Sequence, residues 1–445
     1  MSTSYDRILT RAQSHGIDPS LEPISALLRE LGDPDLRFVT IQLVGTNGKT
    51  STARYTAHIL ASQGLRVSLY LSPMFMSYLD QIEVEGKPVQ AEELDRAVRK
   101  AYEAGRKIDA EREAAGNASF GFSEFELLTA AAALIFAWHN VDVAVVEAGM
   151  GGAWDATSAF RSIQAVCVTG IGIDHVRFLG STPEEIARNK AAVIQTGRRC
   201  VLGQGTAMPA SVEQVLLSRC EEVQVQPTLV RGEPGSGVLP TATYHVAAMP
   251  TGMKRPLSLT VRTPRATYGP LGALKPSYQA QNIACAVTLA EEYLGRALDE
   301  PALVDAVANC PTPGRFDLVR AYPPVIVDAC HNPQSVATFL SAWNGMADPL
   351  GIGEQPTLLC AIFADKDVVG VVSQLATTFR RVVVTRTKAS RAMDAYELAA
   401  VFESQGVVPE AAFNTVEDAL RYLGERPFVA CGSITVAGEV AAHFL

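Results

Sequence analysis

The run Val44-Gly45-Thr46-Asn47-Gly48-Lys49-Thr50-Ser51 constrains this chain more than any other segment. A β-branched stretch, FVTIQLV, leads into it, and a helical pattern, STARYTAHILASQG, leads away. Glycines let the backbone turn until several N–H groups point at phosphate oxygens, and the helix dipole adds positive potential there. Lys49 neutralises charge, and a hydroxyl at Thr50 or Ser51 can reach Mg²⁺. Thr46, Asn47, Gly48, Lys49, Thr50 and Ser51 are therefore the candidate phosphate-binding positions. The strict P-loop pattern asks for a glycine where this chain has Leu43. An ordinary glycine-rich βα turn is the plainer alternative, but the coincidence of strand, loop, Lys-hydroxyl pair and helix argues against it.

A phosphate loop of this kind sits in a parallel sheet, and the rest of the chain supplies one. VDVAVVEAG, IQAVCVTGIG, PVIVDA, TLLCAIF, RVVVTR and FVACGS are apolar and separated by helical stretches, as strands covered on both faces must be. The predicted fold class is α/β, with room for two domains in 445 residues. Residues 225–270 read differently: Pro and Gly are frequent, and TATYHVAAM and PLSLTVRT alternate like antiparallel strands, giving a β-rich appendage. The turn chemistry of Cys310-Pro-Thr-Pro-Gly314 puts a boundary near residue 310. Residues 1–309 then form the first domain and 310–445 the second, with the crevice between them as the expected ligand site.

Net charge is −9 with no basic block, so nucleic acid is not an expected partner. The most apolar run, Leu127 to Trp138, is too short to span a bilayer, and no signal-peptide stretch opens the chain, so no membrane association is expected. Eight cysteines without a C-x-x-C pair argue against zinc or a disulfide framework and fit a reducing, cytoplasmic setting.

The variant Gly-Thr-Asn-Gly-Lys-Thr resembles the ATP loop of the Mur ligase superfamily. Further motifs narrow the resemblance to the folylpolyglutamate and dihydrofolate synthases. Tyr70-Leu71-Ser72-Pro73 looks like their Ser-Pro-His segment, and Phe122-Ser-Glu-Phe-Glu126 like their Thr-x-Phe-Glu. Val145-Val-Glu-Ala-Gly-Met-Gly-Gly152 with Asp155-Ala-Thr157, then Gly172-Ile-Asp-His175 and Asn189-Lys190, follow in register. Gly314-Arg-Phe316, Asp328-Ala-Cys-His-Asn-Pro333, Ala364-Asp-Lys-Asp367 and Gly432-Ser433 continue the series. The loop begins at residue 45, which leaves no room before it for the UDP-sugar domain of the peptidoglycan ligases.

The resemblance implies a two-domain Mur-ligase-like architecture, a P-loop parallel-sheet ATPase domain followed by a smaller Rossmann-like domain. It implies a monomer that ligates L-glutamate to a folate or dihydropteroate carboxylate through an acyl phosphate. ATP and Mg²⁺ are the implied cofactors, with K⁺ as a further candidate ion. Ser72, Glu147 and His175 are the implied metal ligands, and Lys49, Lys190 and His175 the implied catalytic residues. Lys190 matches a lysine that family members carbamylate, whereas read by itself it is equally a solvated helix lysine. Asn282 falls on the adenine side, Arg315 at ATP phosphates, Asp328 at the ribose and His331 at the same strand edge. Ser123, Phe125, Glu126, Trp154, Asp155 and Ala156 are the implied pterin pocket.

Departures from the family pattern gather on the acceptor side. Met74 replaces a histidine, Ala153 and Trp154 replace an Arg-Leu pair, Ser123 a threonine and Tyr278 a histidine. Thr50 stands where the family usually has glycine. Two alternatives stay open: an amide ligase for a non-folate carboxylate, and a catalytically silent ATP-binding relative.

Overall fold

The computed structural model describes residues 4–13, 19–232, 238–248, 256–345, 351 and 355–444. The chain divides into two compact units. Met1–His245, Val261–Gly269 and Gln281–Cys310 make the first, and Val246–Thr260, Pro270–Ala280 and Pro311–Leu445 the second.

One sheet contains β1 (Val39–Val44), β2 (Val67–Tyr70), β3 (Ile82–Val84), β4 (Lys87–Pro88), β5 (Val143–Glu147) and β6 (Ile163–Gly170). It continues through β7 (Arg199–Gly205), β8 (Pro227–Arg231), β9 (Thr241–Ala248), β10 (Leu257–Arg262) and β11 (Thr267–Ala273). The strand order is β11-β10-β9-β8-β7-β6-β1-β5-β2-β3-β4. β1 runs parallel to both neighbours, Ile41 standing beside Val145 of β5 and Ala165 of β6. β5 is buried along its whole length, which is why the sequence there is VAVVE with no alternation. The helix Glu124–Trp138 is buried from Leu127 to Ala137, as expected of a helix apolar on every side. Tyr5, Leu9, Ile24 and Leu27 of two N-terminal helices join the same core. Among the described residues, no helix is long and apolar enough to cross a membrane.

The β-rich stretch differs from its expected form. β8 and β9 extend the main sheet, and β9 runs parallel to β8, with Leu229 beside Thr241 and Arg231 beside Thr243. Alternating side chains report one covered and one open face; they carry no information about strand direction.

The second sheet has β12 (Asp317–Ala321), β13 (Pro324–Val327), β14 (Thr357–Cys360), β15 (Val382–Thr385), β16 (Ala411–Phe413) and β17 (Phe428–Cys431). Its order is β12-β13-β17-β14-β15-β16, antiparallel only at the β12–β13 edge. Phe316, Phe339, Trp343 and Phe379 pack in a chain of tilted rings beneath it.

Candidate active site

β2, β5, β1 and β6 run in one direction, so their carboxyl ends deliver the segments beginning at Leu71, Ala148, Gly45 and Ile171 to a common edge. Parallel sheets collect ligands at such an edge, beside the strand where the connections diverge. The loop after β1 enters the helix Lys49–Ser62 through Gly48, whose φ is 86°. A Cβ on Gly48 would come within 2.6 Å of Asn282 Oδ1, so the turn and the approach of Asn282 both require glycine. Gly48→Ala is expected to cost about 1–2 kcal/mol of stability and to raise the KM for ATP, read by thermal unfolding and ATP titration.

Thr46, expected at the phosphates, is tied to the segment that follows β6. Its N–H donates to Gly170 O at 2.8 Å, its hydroxyl donates to Gly172 O at 3.0 Å, and the same hydroxyl oxygen, Thr46 Oγ1, accepts from Gly172 N at 3.0 Å. Thr169 adds a second brace, its hydroxyl donating to Asn47 O at 2.7 Å. Sequence reasoning missed Thr169; a hydroxyl just before the end of an apolar strand was the available signal.

Glu147, 1% exposed at the end of β5, is the point of convergence. Lys49 Nζ lies 3.8 Å from its Oε1 and 3.4 Å from Thr46 O. The Thr50 hydroxyl donates to Oε1 at 3.1 Å, and Ser72 N–H approaches Oε2 at 3.5 Å. Ser51, the next hydroxyl of the loop, is buried at 2% exposure. His175 occupies a left-handed turn (φ 51°) and keeps its side chain 40% exposed, with Nε2 at 3.9 Å from Asp174 Oδ2. Among the described residues, no group of three His, Cys, Asp or Glu side chains is placed to hold a metal. A lone carboxylate beside a hydroxyl does fit Mg²⁺ that arrives with nucleotide, because that ion takes few protein oxygens and completes its shell with phosphate and water.

Lys190 is not a solvated helix lysine. It is 4% exposed and its Nζ donates to Gly45 O at 2.9 Å. Burial, followed by the charge of Lys49, pulls its amine down to about 7, with Asp155 and Asp174 acting in the opposite direction.

Three of the pterin-side positions have partners within the fold. Ser123 and Glu126 cap the helix Glu124–Trp138 reciprocally, Ser123 N–H and hydroxyl donating to Glu126 Oε2 at 2.9 and 2.7 Å. Asp155 is 3% exposed and accepts from Met150 N at 2.8 Å, Thr157 N at 3.0 Å and the Thr157 hydroxyl at 2.5 Å. Its carboxylate closes its own loop, and burial still holds it above the usual carboxylate range. The Asp-Ala-Thr spacing carried that signal, since an Asp two residues before a turn is a side-chain cap. Phe125 stacks on Tyr70 with ring centroids 6.0 Å apart, and its ring would meet any Cβ on Gly149 at 2.8 Å. Met74 and Trp154 are partly buried against the first core, and Ala156 is buried.

In the second unit, Asp328 follows β13 and is 4% exposed. Tyr278 donates its hydroxyl to Asp328 Oδ2 at 2.9 Å, Phe316 N donates to the same oxygen at 2.9 Å, and Cys330 N donates to Oδ1 at 2.9 Å. The tyrosine that departs from the family pattern therefore holds Asp328 in place. Arg315 reaches its neighbour Gly314 O at 3.1 Å, and His331 Nδ1 lies 2.9 Å from Ala329 O.

A family model described as Mur ligase, glutamate ligase domain, matches residues 314–426. The chain is 34% identical over 393 residues to a dihydrofolate synthase/folylpolyglutamate synthase of Mycobacterium tuberculosis, covering 86% of this chain and 77% of that protein. It is 27% identical over 426 residues to a folylpolyglutamate synthase of Lacticaseibacillus casei, covering 95% and 94%. Among solved structures, Mycobacterium tuberculosis folylpolyglutamate synthase complexed with ADP superposes with a TM-score of 0.86 at 28% identity, over 99% of this chain and 98% of that one.

Proposed function

The chain belongs to the dihydrofolate synthase/folylpolyglutamate synthase family of ATP-dependent ligases, and on that premise we propose that it adds L-glutamate both to dihydropteroate and to folates already carrying glutamate. One catalytic centre suffices for both, because each step activates a carboxylate and then offers it an amine. The observation that carries the reading is the convergence of Lys49 and Thr50 on buried Glu147 at the mouth of the glycine loop.

The acceptor carboxylate oxygen attacks the γ-phosphorus of ATP, the bond to the bridging oxygen breaks, and ADP leaves with the electron pair. The glutamate amine then attacks the acyl carbon, loses a proton, and expels inorganic phosphate. Little covalent chemistry falls to the protein in such a transfer; positioning and charge neutralisation dominate. Lys49 and the N–H groups at the start of the helix Lys49–Ser62 are assigned to the phosphate oxygens. Thr50, Glu147 and Ser72 are assigned to Mg²⁺, which would neutralise phosphate charge there, with His175 as the fourth candidate. Asn282, Arg315, Asp328 and His331 are assigned to the nucleotide, and the loop Gly149–Ala156 with Phe125 to the acceptor. Lys190 is proposed to be the carbamylation site, because an amine brought down to about 7 has a large uncharged fraction at neutral pH, the form that reacts with CO₂.

The test is ADP release by the purified protein with Mg²⁺, ATP and L-glutamate, comparing 7,8-dihydropteroate, tetrahydrofolate and no acceptor. Release with each acceptor above the blank is the expected result. Silence with both, from protein that still binds ATP, would transfer the assignment to a non-folate carboxylate or to a silent relative.

A further inference from the structure

Gln42 is a polar residue in the middle of β1, the central strand that feeds the glycine loop, and it is 0% exposed. Its Nε2 donates to the Thr157 hydroxyl at 2.9 Å and to the Ser158 hydroxyl at 2.9 Å. Each hydroxyl passes its single hydrogen onward. Thr157 gives it to Asp155 Oδ1 at 2.5 Å, and Ser158 gives it to Gly152 O at 2.6 Å. Asp155 in turn accepts from Met150 N at 2.8 Å. A hydroxyl owns one donor hydrogen, so this arrangement fixes the direction of every bond in the network. Gln42 must present its NH₂ group, because a carbonyl there would draw both hydroxyl hydrogens back and release Asp155 and Gly152.

The other end of the amide has no such use. Among the described residues, Gln42 Oε1 is buried with no hydrogen-bond partner. A buried unpartnered oxygen is a liability to the fold, so the amide is not there for stability alone. Among the described residues, its two N–H groups reach the segment that closes the loop Gly149–Asp155, through Thr157 and Ser158.

We propose that Gln42 is a positioning residue that holds the loop Gly149–Asp155 in its acceptor-binding shape, through a directed hydrogen-bond chain running from β1 to Asp155 and Gly152. The inference rests on the assignment of that loop to the acceptor. It makes β1 a shared support: its carboxyl end carries the phosphate loop, and its middle carries the acceptor loop.

Gln42→Glu keeps the size and shape of the side chain and replaces the two donors with acceptors. Gln42→Met keeps the volume and removes polarity together with the unpartnered oxygen. Ser158→Ala breaks one branch at a partly buried site and serves as the milder variant if the strand substitutions fail to fold. All three are expected to raise the KM for the pteroate or folate acceptor by about tenfold, with the KM for ATP unchanged within about twofold. Gln42→Met is further expected to unfold at a temperature no lower than the parent, which a purely structural hydrogen bond would not permit. Trp154→Ala, on the loop itself, is run alongside. If Trp154→Ala shifts the acceptor KM and the Gln42 and Ser158 variants do not, the positioning role is overturned while the loop assignment stands. If none of them shifts it, the loop assignment fails and takes the inference with it. A rise in both KM values together with a lower unfolding temperature would also overturn it, as general damage to the strand.

Discussion

Lys49→Ala is expected to lower the rate of acceptor-dependent ADP release by about a thousandfold or more, while leaving the protein folded. The side chain sits at the start of the helix Lys49–Ser62, with its Nζ 3.8 Å from Glu147 and 3.4 Å from Thr46 O, and is 16% exposed. That is a cation held by one carboxylate and one carbonyl, facing a loop whose backbone turns around it. In the transition state the transferring phosphoryl group spreads negative charge over its equatorial oxygens, and a preorganised cation stabilises that charge more than it stabilises bound ATP. The loss therefore falls on kcat as well as on affinity. The fold keeps its support at the buried carboxylate, because Glu147 still accepts from the Thr50 hydroxyl and faces Ser72 N–H when the lysine is gone. Glu147→Gln is the companion variant: it keeps the shape that accepts from Thr50 but removes the charge offered to Lys49 and to Mg²⁺. Single-turnover measurements with either acceptor check both, and near-normal rates in either variant would remove Glu147 and Lys49 from the centre of the reaction.

The fold was legible because its strands are apolar runs separated by helices, and each such run pairs in parallel with at least one neighbour. Reading stopped at direction in residues 225–270, where alternation tells which face is covered and not which way the chain runs. In the site, the residue types that need charge near phosphate were readable, and Lys49, Thr50 and Glu147 do meet. What the motif could not convey was which polar groups are already in use. Thr46, Ser123, Glu126 and Asp155 belong to ligand-like motifs and are also used by the fold, Thr46 bonding to the segment after β6 and the others within their own helix end or loop. Gln42 lies in no motif and still ties the strand to the acceptor loop. Satisfaction of polar groups is a three-dimensional inventory, and a linear pattern records only the groups that take part in it.

Lys190 links the site to pH in a way that separates stability from activity. Its amine titrates near 7 in the folded chain against an ordinary value of 10.5, because burial and the nearby Lys49 disfavour the charged form. Between those two values the unfolded chain binds more protons than the folded one, so stability rises as pH increases from about 7 towards 10. Below 7 both states carry the charge, and the folded state bears its full desolvation cost, on the order of a few kcal/mol. Lys190→Met removes the titrating group while keeping most of the volume. In CO₂-free buffer the variant is expected to lose this part of the pH dependence and, at pH 6–7, to be at least as stable as the parent, as read by denaturant titration. Its ligase activity is expected to fall by about a hundredfold or more if the carbamate forms at this position. Lys190→Ala leaves space for a small acid, and millimolar formate or acetate is expected to restore part of its activity by supplying the missing carboxylate. A loss of activity that no short acid relieves would leave Lys190 as a buried donor to Gly45 O and nothing more. Full activity in the alanine variant would remove it from the reaction. An unaltered stability–pH profile in the methionine variant would show that the amine is not the group titrating near 7.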